Sequence, residues 1–136
     1  MKYYFEQKVY YGDTDAYGVV WHGAYLRWME AGRVDLAEKM GLSLVKLQKE
    51  NIALPVTNIN IRYKSSAKLN ETVVIETCVK KITPLSFTFY QVVKEKNSER
   101  ICTQAEVDVV AVTNEGKLYR RLPQELNKAL TEAMEE

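Results

Sequence analysis

The strongest constraint on the fold is a change of hydrophobic period partway along the chain. From Ala24 to Met40 the residues Tyr25, Trp28, Met29, Gly32, Leu36 and Met40 recur at spacings of three and four. That is one apolar face of a helix of roughly four to five turns. From Thr57 onward the period drops to two: Thr57, Ile59, Ile61 and Tyr63 alternate with Asn58, Asn60, Arg62 and Lys64. The runs ETVVIETCVKKI, SFTFYQVVKE and TQAEVDVVAV follow without a helix between them. Consecutive strands with no crossover helices make an antiparallel sheet, so the expected class is α+β, with one long helix packed on one sheet.

The remaining elements fit around that pair. YYFEQKVYY is rich in aromatic and β-branched residues and predicts a first strand over Tyr3 to Tyr11. Glu30 and Arg33, three apart, can support one another on the helix surface. Gly41 is a left-handed stop, and Ser43 can cap a short second helix over Leu44 to Glu50. Gly32 in mid-helix costs about 1 kcal/mol relative to alanine. A close neighbour, such as a sheet curling around the helix, gives a reason for it. Thr83-Pro84-Leu85 is a hairpin bend, and TNEGKLYR predicts a turn with a short closing strand. Pro123 suits the first turn of a last helix with Leu126, Ala129, Leu130 and Ala133 on its apolar face.

With 136 residues, 46% hydrophobic and 27% charged, the chain reads as one globular domain over 1–136. It has no repeats or linkers. A net charge of +1 argues against a general nucleic-acid binder. The N-terminus has no signal-peptide pattern, and no apolar run approaches the roughly 20 residues that span a bilayer. Cys78 and Cys102 sit inside strand alternation and read as reduced thiols of a cytoplasmic protein. An antiparallel sheet covered by one dominant helix leaves an exposed edge, which favours a homodimer formed by strand pairing.

The single histidine, His22, prunes the chemistry. No GxSxG elbow is present, no serine is placed beside His22, and both cysteines lie mid-strand, where thiols are usually inert. One histidine and two unpaired cysteines make a poor zinc site, and Gly12 and Gly18 frame no phosphate loop. A carboxylate remains. In GDTDAYGVVWHGAY, Asp13 and Asp15 stand between the first strand and the helix. As turn formers they would bond nearby amides, and calcium-loop spacing does not continue past Gly18. The free amides and positive end of the following helix offer another use. An oxyanion and a carboxylate nucleophile can both sit within their reach.

The stretch YYGDTDAYGVVWHGAYLRWMEAGR resembles the signature of the hotdog-fold acyl-CoA thioesterases, the 4-hydroxybenzoyl-CoA thioesterase and YbgC-like group. That signature has D-x-D-x-x-G-x-V, an aromatic, His or Tyr, and then Tyr leading into the central helix. The resemblance runs over nearly the whole chain in element order and implies a sheet wrapped around that helix. It implies Asp15 as the essential carboxylate and the backbone amide of His22 as the group that polarises the thioester carbonyl. The His22 side chain matches a histidine of the YbgC-like branch, where the benzoyl-CoA branch has tyrosine. Gly18 matches the glycine that brings these groups together, with Tyr17, Val19, Trp21 and Tyr25 completing the substrate-binding set. Asp13 is structural.

The resemblance further implies hydrolysis of acyl-CoA, or of acyl groups on acyl carrier protein, in lipid metabolism. It requires no cofactor, since coenzyme A is part of the substrate, and no metal. It also implies a homotetramer built as a dimer of dimers, without nucleic-acid or integral membrane contact. The coenzyme A end departs from the benzoyl-CoA branch, whose basic cluster before an SF pair is here Thr83-Pro84-Leu85. Lys80 and Lys81 just upstream, with Lys64 and Lys68, are the candidate phosphate contacts. A non-catalytic acyl-CoA-binding module and a 3-hydroxyacyl thioester dehydratase are the alternative readings.

Overall fold

The computed structural model describes residues 1–135. Five strands form one sheet: β1 (Tyr3–Lys8), β2 (Val56–Tyr63), β3 (Thr72–Ile82), β4 (Ser86–Glu95) and β5 (Ile101–Val110). Their order across the sheet is β1-β3-β4-β5-β2, with every neighbouring pair antiparallel. Three helices accompany them: α1 (His22–Lys39), α2 (Leu44–Lys49) and α3 (Gln124–Glu135). The expected α+β class and the single long helix on an antiparallel sheet are both observed.

Alternation sorts the sheet into two faces. Val73, Ile75, Val79, Phe87, Phe89, Val93, Ala105, Val107 and Val109 are buried against the helices. On the other face Lys94 pairs with Glu76 at 3.0 Å and Lys80 pairs with Glu106. The Thr88 hydroxyl there donates to Asp108 at 2.7 Å. A sheet that is apolar on one side and salt-bridged on the other can carry helices on one side only. Helix α1 lays Ala24, Tyr25, Trp28, Met29, Gly32 and Leu36 on the apolar face. The expected stripe is therefore the buried one, with Met40 packed at its margin. Leu126 and Leu130 of α3 join Leu36, Val79 and Phe87 in the same cluster.

Gly32 sits where α1 and the sheet touch. A Cβ built there would lie 2.8 Å from Ile75 Cγ2 and 3.2 Å from Thr77 Oγ1. The close approach inferred from sequence is thus the reason for the glycine. Gly41 has φ +77 and follows α1, and the Ser43 hydroxyl accepts from Lys46 N–H at 3.2 Å to start α2.

Four local expectations are corrected. The first strand ends at Lys8, because the Tyr10 N–H turns to the Asp13 carboxylate and Tyr11–Asp13 winds into a 3-10 turn. Helix α1 begins two residues earlier than the apolar period suggested, at His22. Glu30 and Arg33 form no ion pair. Arg33 turns inward and donates from Nη1 to Gln91 Oε1 at 2.9 Å instead. TNEGKLYR yields no closing strand: Gly116, at φ +92, closes a turn on Thr113, and only an isolated bridge joins Val112 to Leu118.

Strand β2 is the exposed edge. It pairs with β5 alone, and seven of its eight residues are exposed. Cys78 and Cys102 are free thiols, and burial pushes Cys102 up from its ordinary pKa.

Candidate active site

The segment between β1 and α1 folds as a small hairpin aimed at the helix start. Asp15 N–H donates to Val19 O at 2.9 Å, and Gly18 N–H donates back to Asp15 O at 3.0 Å. Thr14 bridges Val20, and Val19 bridges Lys68 on the strand side. Gly18 carries φ +77, a left-handed conformation that disfavours any side chain and lets the hairpin close tightly. Trp21 N–H donates to Asp13 O at 3.0 Å, and α1 begins with the next residue.

Asp15 is exposed on this hairpin, and its Oδ1 accepts the Tyr17 N–H at 2.8 Å. Its other oxygen has no protein partner among the described residues. At the helix start, Trp21 makes no side-chain cap, and the first amides of a helix have no intrahelical acceptor. The N–H groups of His22 and Gly23 are therefore free donors at the positive end of the α1 dipole. The hairpin thus carries an exposed carboxylate, and the helix that follows it starts with amides that have no intrahelical acceptor. Such amides can stabilise an oxyanion, and such a carboxylate can attack a carbonyl or deprotonate water.

Aromatic rings line the same end of the fold. The exposed His22 ring meets Trp21 edge-on at 5.6 Å and Tyr63 at 6.4 Å. The Tyr63 hydroxyl donates to His22 O at 3.0 Å. The Trp21 indole folds back over Gly23, whose missing side chain leaves room for the ring. Tyr25 is buried, with its ring against Trp28 and Tyr63 and its hydroxyl accepting the Ala67 N–H at 2.9 Å. Burial raises the pKa of Tyr25 and Tyr63, so both phenols are neutral at physiological pH. Tyr17 is 90% exposed at the hairpin tip, whereas Val19 is half-buried.

The candidate lysines divide. Lys68 lies beside the hairpin through its bridge to Val19, and Lys64 follows β2, its N–H on Cys102 O at 2.8 Å. Lys80 and Lys81 stand at the far end of β3 from Thr72, which pairs with Lys8 next to the hairpin. Eight residues of strand put them about 26 Å along the sheet. Lys80 is also engaged with Glu106.

Two features were not anticipated from sequence. Asp13 is a buried carboxylate that ties Arg27 of α1 to the loop, and Tyr63 brings β2 against His22. The alternation of Ile59, Ile61 and Tyr63 along β2 was the available signal for Tyr63. Among the described residues no group of three His, Cys, Asp or Glu side chains is arranged to hold a metal ion. Nor is any helix long and apolar enough to cross a membrane.

Residues 9–130 match the thioesterase-like superfamily. The acyl-CoA thioester hydrolase YbgC of Escherichia coli (strain CFT073) is 32% identical over 120 residues, covering 88% of each chain. The DHNA-CoA thioesterase of Staphylococcus aureus superposes with a TM-score of 0.88 at 27% identity, over 96% of this chain and 89% of that one. A mutant 4-hydroxybenzoyl-CoA thioesterase complexed with 4-hydroxybenzoyl-CoA superposes at 0.86 and 22% identity, over 95% and 98% of the two chains, a likeness of fold.

Proposed function

The chain belongs to the thioesterase-like superfamily and is an acyl-CoA thioester hydrolase; we propose that Asp15 is its catalytic carboxylate and that the amides at the start of α1 are its oxyanion site. One observation carries this reading. The hairpin Thr14–Val20 holds an exposed aspartate directly ahead of a helix whose first N–H groups have no acceptor. Donors of this kind aimed at a developing oxyanion contribute about 3 kcal/mol each.

In the proposed reaction the thioester carbonyl oxygen lies on the His22 and Gly23 amides. Asp15 adds to the carbonyl carbon, or takes the proton of a water that does so. The carbon–sulfur bond then breaks, coenzyme A leaves as thiolate and takes up a proton, and the acid is released. Direct attack adds one step, hydrolysis of a mixed anhydride by water. The His22 ring, Tyr17, Gly18, Val19, Trp21 and Tyr25 form the substrate surroundings, with Lys64 and Lys68 nearer the coenzyme A path than Lys80 and Lys81. No cofactor enters this scheme. Acyl groups on acyl carrier protein are a second substrate form for the same chemistry.

The working unit is a homodimer, supported by β2. An eight-residue edge strand with Ile59 and Tyr63 exposed is a template for pairing with a second copy about a two-fold axis. A dimer of dimers in the cytoplasm completes the proposal.

The test is free-thiol release from a panel of aliphatic and aromatic acyl-CoA substrates. Asp15→Asn keeps shape and removes charge, and it should lower kcat by about 10²-fold or more while acyl-CoA still binds. Near-normal turnover by that variant overturns the assignment of Asp15. Formation of an enoyl thioester without thiol release would mean dehydration instead.

A further inference from the structure

Tyr63, the last residue of β2, is tied to the start of α1 by one hydrogen bond, its hydroxyl donating to His22 O at 3.0 Å. Two sets of contacts aim the phenol. Tyr63 pairs with Thr103 of β5, and the N–H of the next residue, Lys64, donates to Cys102 O at 2.8 Å. The ring stands edge-on to His22 at 6.4 Å and to the buried Tyr25 at 5.7 Å. Backbone pairing on one side and two aromatic contacts on the other hold the hydroxyl over the first turn of α1.

The acceptor gives this contact a chemical consequence. His22 is the first residue of α1, and a helical carbonyl already accepts the N–H four residues on. A carbonyl oxygen has a second lone pair, which the phenol fills. His22 C=O and Gly23 N–H are the two ends of one planar peptide unit joined by resonance. A donor on the oxygen draws electrons from the nitrogen and leaves the N–H more positive, so hydrogen bonds in a chain strengthen one another. The far end of this particular peptide is the Gly23 amide, one of the two oxyanion donors assigned above. The next amide, Ala24 N–H, is already spent on Trp21 O at 3.0 Å. Partial burial pushes the Tyr63 phenol up from its ordinary pKa, so it stays a donor through the neutral range.

We propose that Tyr63 is a positioning residue for the thioester hydrolysis: its hydroxyl polarises the His22–Gly23 peptide and strengthens the Gly23 N–H as an oxyanion donor. The proposal rests on the assignment of the α1 amides as the oxyanion site. Tyr63 acts through the peptide and not on the substrate. One oxyanion donor is worth about 10²–10³ in kcat, and strengthening it by about 10–30% on that logarithmic scale corresponds to about two- to eightfold.

Tyr63→Phe removes the hydroxyl and keeps the ring. In the isotope-labelled full chain, the nuclear magnetic resonance signals of the His22 carbonyl carbon and the Gly23 nitrogen should both move upfield. With saturating acyl-CoA, kcat should fall about two- to eightfold while KM stays within about twofold of wild type. Fluorotyrosine at position 63, with the fluorine beside the hydroxyl, is a stronger donor in the same place. It should move both signals downfield and raise kcat, and it carries the test if Tyr63→Phe fails to fold by circular dichroism. Signals that stay in place, or a raised KM at unchanged kcat, overturn the proposal and leave the oxyanion assignment standing. Signals that move while kcat and KM both stay at wild type remove Gly23 from the oxyanion site, and the proposal falls with it.

Discussion

Arg27 reaches back from the second turn of α1 and closes on the buried Asp13 carboxylate, Nη2 to Oδ1 at 2.5 Å. The other Asp13 oxygen accepts the Tyr10 N–H at 2.9 Å, and the Asp13 carbonyl accepts the Trp21 N–H at 3.0 Å. One residue therefore fastens the start of the hairpin, its end and the helix behind it. Asp15, two positions later, carries none of these ties, and among the described residues its carboxylate accepts only the Tyr17 N–H at 2.8 Å.

Replacing Asp13 with alanine removes the acceptor for a backbone amide and for a guanidinium together. We expect a loss of about 1–3 kcal/mol, because partners of a buried group are left unsatisfied. Urea unfolding followed by tryptophan fluorescence reads it as a lower midpoint at unchanged slope. Arg27→Gln should cost less, since that side chain is 61% exposed and the exposed end of an ion pair contributes little.

Gly32→Ala tests the contact between α1 and the sheet. Helix propensity alone favours alanine by about 1 kcal/mol. The new Cβ, however, meets the stiff, branched Ile75 at 2.8 Å, with Thr77 and Gln91 also close. Overpacking of this kind costs about 1–3 kcal/mol, so the variant should melt below wild type. A higher melting temperature would mean that the helix and sheet separate easily here.

At Gly23 the obstacle is the Trp21 indole, whose outer ring atoms occupy the space of an added methyl. An indole can swing where Ile75 cannot. Gly23→Ala should therefore leave the melting temperature within about 1 kcal/mol of wild type in stability terms. Trp21 should move off the helix start, read as a change in tryptophan emission and in the KM for acyl-CoA. Unchanged emission would show that the ring does not rest there in solution.

Acid stability has an identifiable contributor in the β4–β5 turn. The Glu95 carboxylate accepts from Asn97 N–H at 3.0 Å, Ser98 N–H at 2.9 Å and Ser98 Oγ at 2.8 Å. These donors, Asn97 first, hold its pKa below the usual glutamate value. A depressed folded pKa gives stability that is complete above the unfolded value and lost as pH falls through the folded one. Glu95→Gln should therefore be less stable than wild type at neutral pH. The gap should narrow as unfolding is repeated at successively lower pH, and a gap independent of pH would contradict the assignment.

The legible parts of this molecule were those encoded by period. The face of α1 through Tyr25, Trp28, Gly32 and Leu36 is read directly from spacing, and Gly32 announced a close neighbour because glycine has no other purpose in mid-helix. The strands β3, β4 and β5 likewise alternate as observed. What spacing cannot carry is contact between residues distant in sequence. Arg33 looked like a surface partner of Glu30 three positions away, but the β4 residue Gln91 captures it. Arg27 and Asp13 meet only because the intervening hairpin doubles back. In TNEGKLYR the turn residues were read correctly and the strand was not, since a single bridge at Leu118 satisfies that segment. The acidic loop was read as chemistry through the resemblance of its spacing to the thioesterase signature, since its composition alone allowed a plain turn. Lys80 and Lys81 were judged only by their place before Ser86-Phe87, and the length of β3 sets them at the end of the sheet away from the hairpin.

The strand order has a consequence for how the molecule assembles. β3, β4 and β5 are neighbours in both sequence and sheet, joined by short turns, so their pairing closes small loops. Both outer strands are remote: Tyr3 of β1 pairs with Thr77, and Ile61 of β2 pairs with Ala105. Closing such long loops costs more entropy, so the central meander forms early and the flanks arrive late. The hairpin with Asp15 and helix α1 both lie between those two late strands in the chain. The proposed centre is thus expected to form last as the chain folds, and a partly assembled molecule with its meander complete would lack it.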